Sequence, residues 1–190
     1  MKYKVLPMPA YRTAEGYAIA AIEERDMAPI KDWRNAQLLV LRQARPLTDA
    51  DQGLYFAQHV LPAFVAEFPR IILFRFTIKD SLIGYGGLTN LDWDSRRAEV
   101  SFLLDPVRVA DAGGYDADFS AFLGLLKLVG FGELGLNRLF TETYDVRPHH
   151  VAVLERAGFL LEGRMRQHAR VGGCLTDSLI HGLIKGQVDV

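Results

Sequence analysis

Three groups of residues in this 190-residue chain have types and surroundings that could do chemistry. Glu99 lies in Ala98-Glu99-Val100, a carboxylate between apolar neighbours on a β-rich run, and such a group is a candidate proton acceptor. Its competing role is an ion pair with Arg97 or Arg138; Glu142 faces the same choice with a weaker claim. The second group is His149-His150, because imidazole titrates near pH 6.5 and both gives and takes protons. As metal ligands the two fail: neighbours on a helix point about 100° apart, and no third ligand stands three or four residues on. A histidine at a helix start satisfied by solvent or backbone is the plainer alternative. The third is Trp33-Arg34-Asn35, where a guanidinium and an amide suit phosphate and hydroxyl groups and an indole can stack. Trp33 serves equally well as the core anchor of its helix. Two other motifs carry no chemistry. Gly130-Phe131-Gly132-Glu133-Leu134-Gly135 spells a dinucleotide fingerprint, but helix precedes it and strand follows, the reverse of what that site needs. Cys174 sits beside Gly172-Gly173 without an activating base, so it reads as a small hydrophobe.

The elements that must position these groups follow from periodicity. Tyr17–Ile22 reads as a strand buried on both faces. Asp26 is a candidate N-cap for a short helix over Met27–Asn35, and Thr48 with Asp51 makes a capping box for a second, kinked by Pro62. Ile71–Ile78, Leu82–Thr89 and Ala98–Leu104 form an antiparallel meander. From Phe119 the apolar spacing is helical, with Phe122, Leu123, Leu126 and Val129 on one face. Arg138–Tyr144 is a strand, His149–Ala157 a helix stopped by Gly158, and Phe159–Val171 with Cys174–Lys185 a hairpin through the two glycines. The order β α α β β β α β α β β lets the long helix cross to a strand parallel to the last strand of the meander.

Composition bounds the rest. With 22 Lys and Arg, 23 Asp and Glu, 49% apolar residues and a net charge of −1, the chain has the proportions of one globular domain over residues 1–190. Near-neutral charge argues against a nucleic-acid coat, and no apolar run approaches the roughly 20 residues that span a bilayer. The lone cysteine and the absence of a basic-then-apolar leader make the cytoplasm the expected compartment.

Leu82-Ile83-Gly84-Tyr85-Gly86-Gly87-Leu88, then Ala98–Pro106, then Leu134-Gly135-Leu136-Asn137-Arg138-Leu139, resembles the Gcn5-related N-acetyltransferases. Leu154–Gly163 with Arg166, Gly173, Asp177 and Gly182 is similar to the tail of its ribosomal-protein alanine acetyltransferase branch. The resemblance spans nearly the whole chain. It implies the acyltransferase fold, an α/β (α+β) mixed and mostly antiparallel sheet flanked by helices. It also implies acetyl-CoA as co-substrate, no metal, and a primary amine on a small molecule as acceptor. The pantetheine arm is then expected between the strand carrying Phe102, Leu103 and Leu104 and the strand Arg138–Tyr144. The pyrophosphate is expected near Arg108, Ala112, Gly113, Gly114 and Tyr115, since backbone N–H groups at a helix start bind anions. Here the chain departs from the family. Val109-Ala110-Asp111-Ala112-Gly113-Gly114 keeps only the last glycine of the usual loop, and Asp111 and Asp116 add negative charge that Arg108 is expected to offset. Arg147 replaces a common asparagine, His150 a small residue, and Leu154 the tyrosine that often protonates the departing thiolate. The resemblance thus places His150 beside the thioester, and Glu99, set between apolar neighbours on its strand, is the candidate base.

Trp33-Arg34-Asn35 resembles the acetyltransferases that modify amino groups of nucleotide-linked sugars, with Arg42, Arg45, His168 and Arg170 as further candidates for an anionic patch. Two alternatives stand: acetylation of a protein N-terminus or side chain, and a non-catalytic acyl-CoA-fold binding module. Edge strands at the carboxyl end leave room for a homodimer.

Overall fold

The computed structural model describes residues 1–187. Eight strands form one sheet in the order β1-β2-β3-β4-β5-β6-β8-β7. They are β1 (Ala10–Arg12), β2 (Tyr17–Ala21), β3 (Ile72–Ile78), β4 (Ser81–Asp92), β5 (Arg97–Leu104), β6 (Arg138–Tyr144), β7 (Leu160–Val171) and β8 (Cys174–Ile184). All neighbours pair antiparallel except β5 and β6. That exception is forced by the connection, which runs out of β5 through α4 (Pro106–Val109) and the long α5 (Ala112–Lys127) and re-enters the sheet in the same direction.

Alternation and helical spacing explain most elements. In α5 the residues Phe119, Phe122, Leu123 and Leu126 are buried, and Phe122 meets the edge of Phe76 on β3 at 5.1 Å between ring centres. The helix begins earlier than apolar spacing predicts, at Ala112, because its first turn is Ala-Gly-Gly and carries no apolar signal. The first two helices are α1 (Met27–Ala36) and α2 (Asp49–Tyr55). Thr48 and Asp51 form the capping box of α2: Thr48 Oγ1 accepts from Asp51 N at 3.1 Å, and Asp51 accepts from Thr48 N at 2.8 Å. Asp26 does not cap α1 with its side chain; it accepts from Glu23 N at 2.9 Å and closes the turn before the helix. A π-helical turn, Phe56–Val60, precedes Pro62 and leads into α3 (Leu61–Val65). The helix after β6 is α6 (Pro148–Arg156), ended at Gly158, whose φ of 95° is open to glycine. No described helix is long and apolar enough to cross a membrane.

Candidate active site

The parallel seam between β5 and β6 closes for only three residue pairs, Arg97 with Arg138, Ala98 with Leu139 and Glu99 with Phe140. Beyond them the strands part, and the edge of β5 from Val100 onward faces a cavity of about 460 Å³. Strand alternation puts Glu99, Phe140 and Glu142 on one face and Val100, Phe102 and Thr141 on the other. The second face lies under α5, because Phe102 stacks on Phe119 at 4.4 Å. Apolar walls from α1, α2 and the intervening loop complete the cavity.

Glu99 and His150 both line this cavity. Glu99 is buried, and neither Arg97 nor Arg138 holds it: those arginines pair with Asp92 and Glu162. Its partners are Arg42, whose Nη2 donates to Oε1, and Asn90, whose Nδ2 donates to Oε2 at 2.7 Å. The same guanidinium donates from Nη1 to Glu142 Oε2 at 3.2 Å. One arginine, half exposed, therefore bridges the two carboxylates of the cavity.

His150 is buried and lies flat on Phe119, with 4.3 Å between ring centres. Its Nδ1 is 2.6 Å from Tyr115 Oη, and Arg147 Nη2 donates to that hydroxyl at 3.1 Å. Burial first, then the nearby Arg147 charge, pushes the imidazole pKa well below its ordinary 6.5, so the ring is neutral at pH 7. A stability consequence follows. Below pH 6.5 the unfolded chain binds a proton on this histidine that the folded chain refuses, so stability falls as pH drops from about 6.5 toward the lowered folded value. In thermal melts from pH 7 to pH 5, His150→Gln is expected to flatten the decline in Tm seen for the native chain; an unchanged slope contradicts a neutral buried ring.

The other predicted residues separate. Phe102 lines the cavity, whereas the side chains of Leu103 and Leu104 are buried and the Leu104 carbonyl accepts from Gln37 Nε2 at 2.8 Å. Arg108 is a correction. It does not stand free at the start of α5; its Nε and Nη2 donate to the fully buried Asp118 at 2.5 and 2.8 Å, with Tyr17 Oη donating to the same carboxylate at 2.9 Å. Ala112, Gly113 and Gly114 form the first turn of α5, whose N–H groups have no helical acceptor. The Asp111 carboxylate lies over that turn, 2.6 Å from where a Cβ on Gly114 would be. Tyr115 faces His150 rather than solvent.

Of the triplet on α1, Arg34 alone lines the cavity. Trp33 packs against the core, and Asn35 ties α1 to the loop before α2 by accepting from Leu47 N at 2.7 Å and donating to its carbonyl at 2.9 Å. Arg34 donates from Nη1 to Tyr85 Oη at 2.6 Å and from Nε to Gln43 Oε1 at 2.8 Å, and no carboxylate among the described residues pairs with it. The wider basic patch divides: Arg42 and His168 approach Glu142, Arg45 pairs with Asp51, and Arg170 donates to the Gly173 carbonyl. His149 diverges from His150 and reaches Asp116 at 2.6 Å. Sequence reasoning missed the Tyr115–His150–Arg147 cluster and the Arg42–Glu99 bridge, because the partners lie 35 and 57 residues apart with no local signal.

A family model of the acetyltransferase (GNAT) domain matches residues 19–180. The chain belongs to this family. It is an N-acetyltransferase that takes acetyl-CoA as co-substrate. Among solved structures, the spermidine N-acetyltransferase from Vibrio cholerae in complex with CoA and spermine superposes with a TM-score of 0.77 at 16% identity, covering 90% of this chain and 97% of that one. A dodecameric structure of spermidine N-acetyltransferase from Vibrio cholerae in an intermediate state gives 0.73 at 18%, covering 90% and 95%. A probable acetyltransferase gives 0.70 at 22%, covering 99% of both chains. At these identities the likeness is one of fold. No curated protein matches the sequence.

The residues present suit acetyl-CoA as substrate. An open strand edge can pair with the amides of its pantetheine arm, and the free N–H groups of Ala112, Gly113 and Gly114 can receive its pyrophosphate. Asp111 opposes the second contact by charge.

Proposed function

We propose that the chain acetylates the primary amine of a small molecule that also carries an anionic group, with an amino sugar linked to a nucleotide as the class that fits. The observation that carries this reading is Arg34, a half-buried cation at the cavity wall that neutral partners hold and that no carboxylate among the described residues neutralises. Such a guanidinium favours a phosphate or carboxylate on the acceptor. The acceptor amine lies toward Glu99 and Glu142, where its ammonium takes the place Arg42 holds, and Glu99 receives a proton from it before attack on the acetyl carbonyl.

A polyamine is the second reading. The carboxylates Glu99 and Glu142 favour it, since a substrate ammonium can replace their shared guanidinium. Against it, Arg34, Arg42 and Arg147 line the same space, and the remaining carboxylate, Asp51, is held by Arg45. A peptide acceptor, as in the ribosomal-protein alanine acetyltransferases, meets the same arginines.

Thiol release from acetyl-CoA, measured with a nucleotide-linked amino sugar and with spermine, tests the choice. The proposal expects kcat/KM at least about 100-fold higher for the sugar, the discrimination of one or two charge-assisted hydrogen bonds; higher turnover of spermine overturns it. Arg34→Met is expected to raise the acceptor KM about 10- to 100-fold and leave the KM for acetyl-CoA unchanged, on the same ~1.5–3 kcal/mol per charged hydrogen bond. At the other end of the cleft, Asp111→Asn is expected to lower the Kd for CoA about two- to fivefold, from ~0.3–1 kcal/mol of charge at a helix N-terminus. Unchanged affinity in calorimetry would show the pyrophosphate lies elsewhere.

A further inference from the structure

We infer that Arg147, Tyr115 and His150 form a proton relay that delivers a proton from His150 Nε2 to the departing thiolate. This rests on the acetyl-transfer reading above and adds to it the direction and source of the proton.

Tyr115 Oη lies 2.6 Å from His150 Nδ1 and accepts from Arg147 Nη2 at 3.1 Å. A guanidinium only donates, so this contact has one polarity. If His150 carried its proton on Nδ1, the tyrosine oxygen would accept from both sides and its own proton would have no acceptor in a buried site, a costly arrangement. If Tyr115 donates to Nδ1, every group is satisfied: Arg147 to Tyr115, Tyr115 to His150. The ring proton then sits on Nε2, which has no partner within the described protein, on a side chain that lines the cavity. The imidazole is held on Phe119 and cannot easily turn away. Leu154, one helical turn beyond His150 on α6, is fully buried and offers no proton.

The amine nitrogen bonds to the acetyl carbon and the carbon–sulfur bond breaks, leaving its electron pair on sulfur. The thiolate takes the proton from His150 Nε2 while Nδ1 takes the hydroxyl proton of Tyr115; burial raises the Tyr115 pKa and the Arg147 charge works against that rise, so the phenolate exists only transiently beside the guanidinium. Glu99 passes the ammonium proton it took before attack to solvent, and then accepts the surplus proton that the nitrogen sheds after the N–C bond forms and releases it the same way. When CoA leaves, Nε2 regains a proton from water in the cavity and Nδ1 returns its own to Tyr115. His150 is the catalytic residue of the set; Tyr115 and Arg147 act through it as positioning residues.

The tautomer can be read without turnover. Long-range nitrogen–proton NMR correlations of the native protein are expected to show His150 with Nε2 protonated and Nδ1 bare; a protonated Nδ1 overturns the relay while leaving acetyl transfer standing. In thiol-release assays Tyr115→Phe and His150→Gln are each expected to lower kcat about 100-fold, the usual size of a general-acid contribution. The KM for acetyl-CoA should stay within about threefold of native. The double variant is expected to be no slower than His150→Gln alone, as for residues acting as one unit. Tyr115→Phe within twofold of native kcat, or losses that multiply in the double variant, overturn the relay. Arg147→Lys is expected to recover most of the activity that Arg147→Met loses. Absence of thiol release by the native protein with every amine tested overturns the acetyl-transfer reading, and the relay with it.

Discussion

Glu99→Gln should lower kcat/KM for the acceptor about 100- to 1000-fold while CoA still binds with native affinity, because general-base contributions run to about 10²–10⁴. The carboxylate is buried at the point where β5 and β6 part, and both its oxygens are engaged, one by Arg42 and one by Asn90. Glutamine keeps the shape but turns one acceptor into a donor facing donors. Arg42 is half exposed and can turn to water, which keeps the structural cost below the ~3–5 kcal/mol typical of a broken buried pair. Activity, which depends on the charge, therefore falls further than Tm. Arg42→Met is the companion experiment. It leaves Glu99 and Glu142 without their shared cation and is expected to raise kcat/KM for spermine at least tenfold relative to the nucleotide-linked sugar. Native turnover of Glu99→Gln, measured by thiol release at saturating acetyl-CoA, would remove Glu99 from the chemistry.

Gly86→Ala should be among the most disruptive single methyl groups in the sheet. An added Cβ would lie 2.1 Å from the Ser101 carbonyl oxygen, 2.9 Å from Phe102 Cα and 2.8 Å from Phe122 Cζ. Two of these are backbone atoms of β5, so relief requires β5 to shift away from β4 and the Phe122 ring to give way as well. Overpacking alone costs ~1–3 kcal/mol, and loss of strand pairing adds to it. The expected result is a loss of about 3 kcal/mol or more, a Tm drop of roughly 6–12 °C for a chain of this size. Gly53→Ala is the control: nothing lies within 4 Å of its added Cβ on α2, and helix propensity favours alanine by ~0.5–1 kcal/mol. Equal melting temperatures for the two variants would contradict the tight β4–β5 packing.

That packing explains what the sequence could reveal. Ile71–Ile78 and Ala98–Leu104 are apolar enough to read as central strands, and both are. The capping box at Thr48 and the stop at Gly158 are local, so their residues announce them. β1 is only three residues long, and the π-helical turns at Phe56–Val60 and Leu128–Glu133 keep an apolar pattern that looks α-helical, so neither is visible beforehand. In the site, residue type marked Glu99, residue type together with the resemblance marked His150 and Arg34, and the fold brings all three to one cavity. Type could not say that Arg108 is consumed by Asp118 or that Asn35 staples a loop, because both depend on which buried neighbour wins each hydrogen bond. The pairing of Tyr115 with His150 depends on α5 packing against α6, a tertiary contact with no sequence period.

The most direct test of the account is calorimetric titration of the native protein with CoA and acetyl-CoA. The open seam beyond Glu99 and the free first turn of α5 predict one site per chain with micromolar Kd for both. No heat of binding at millimolar CoA would contradict the assignment of this cleft to acetyl transfer.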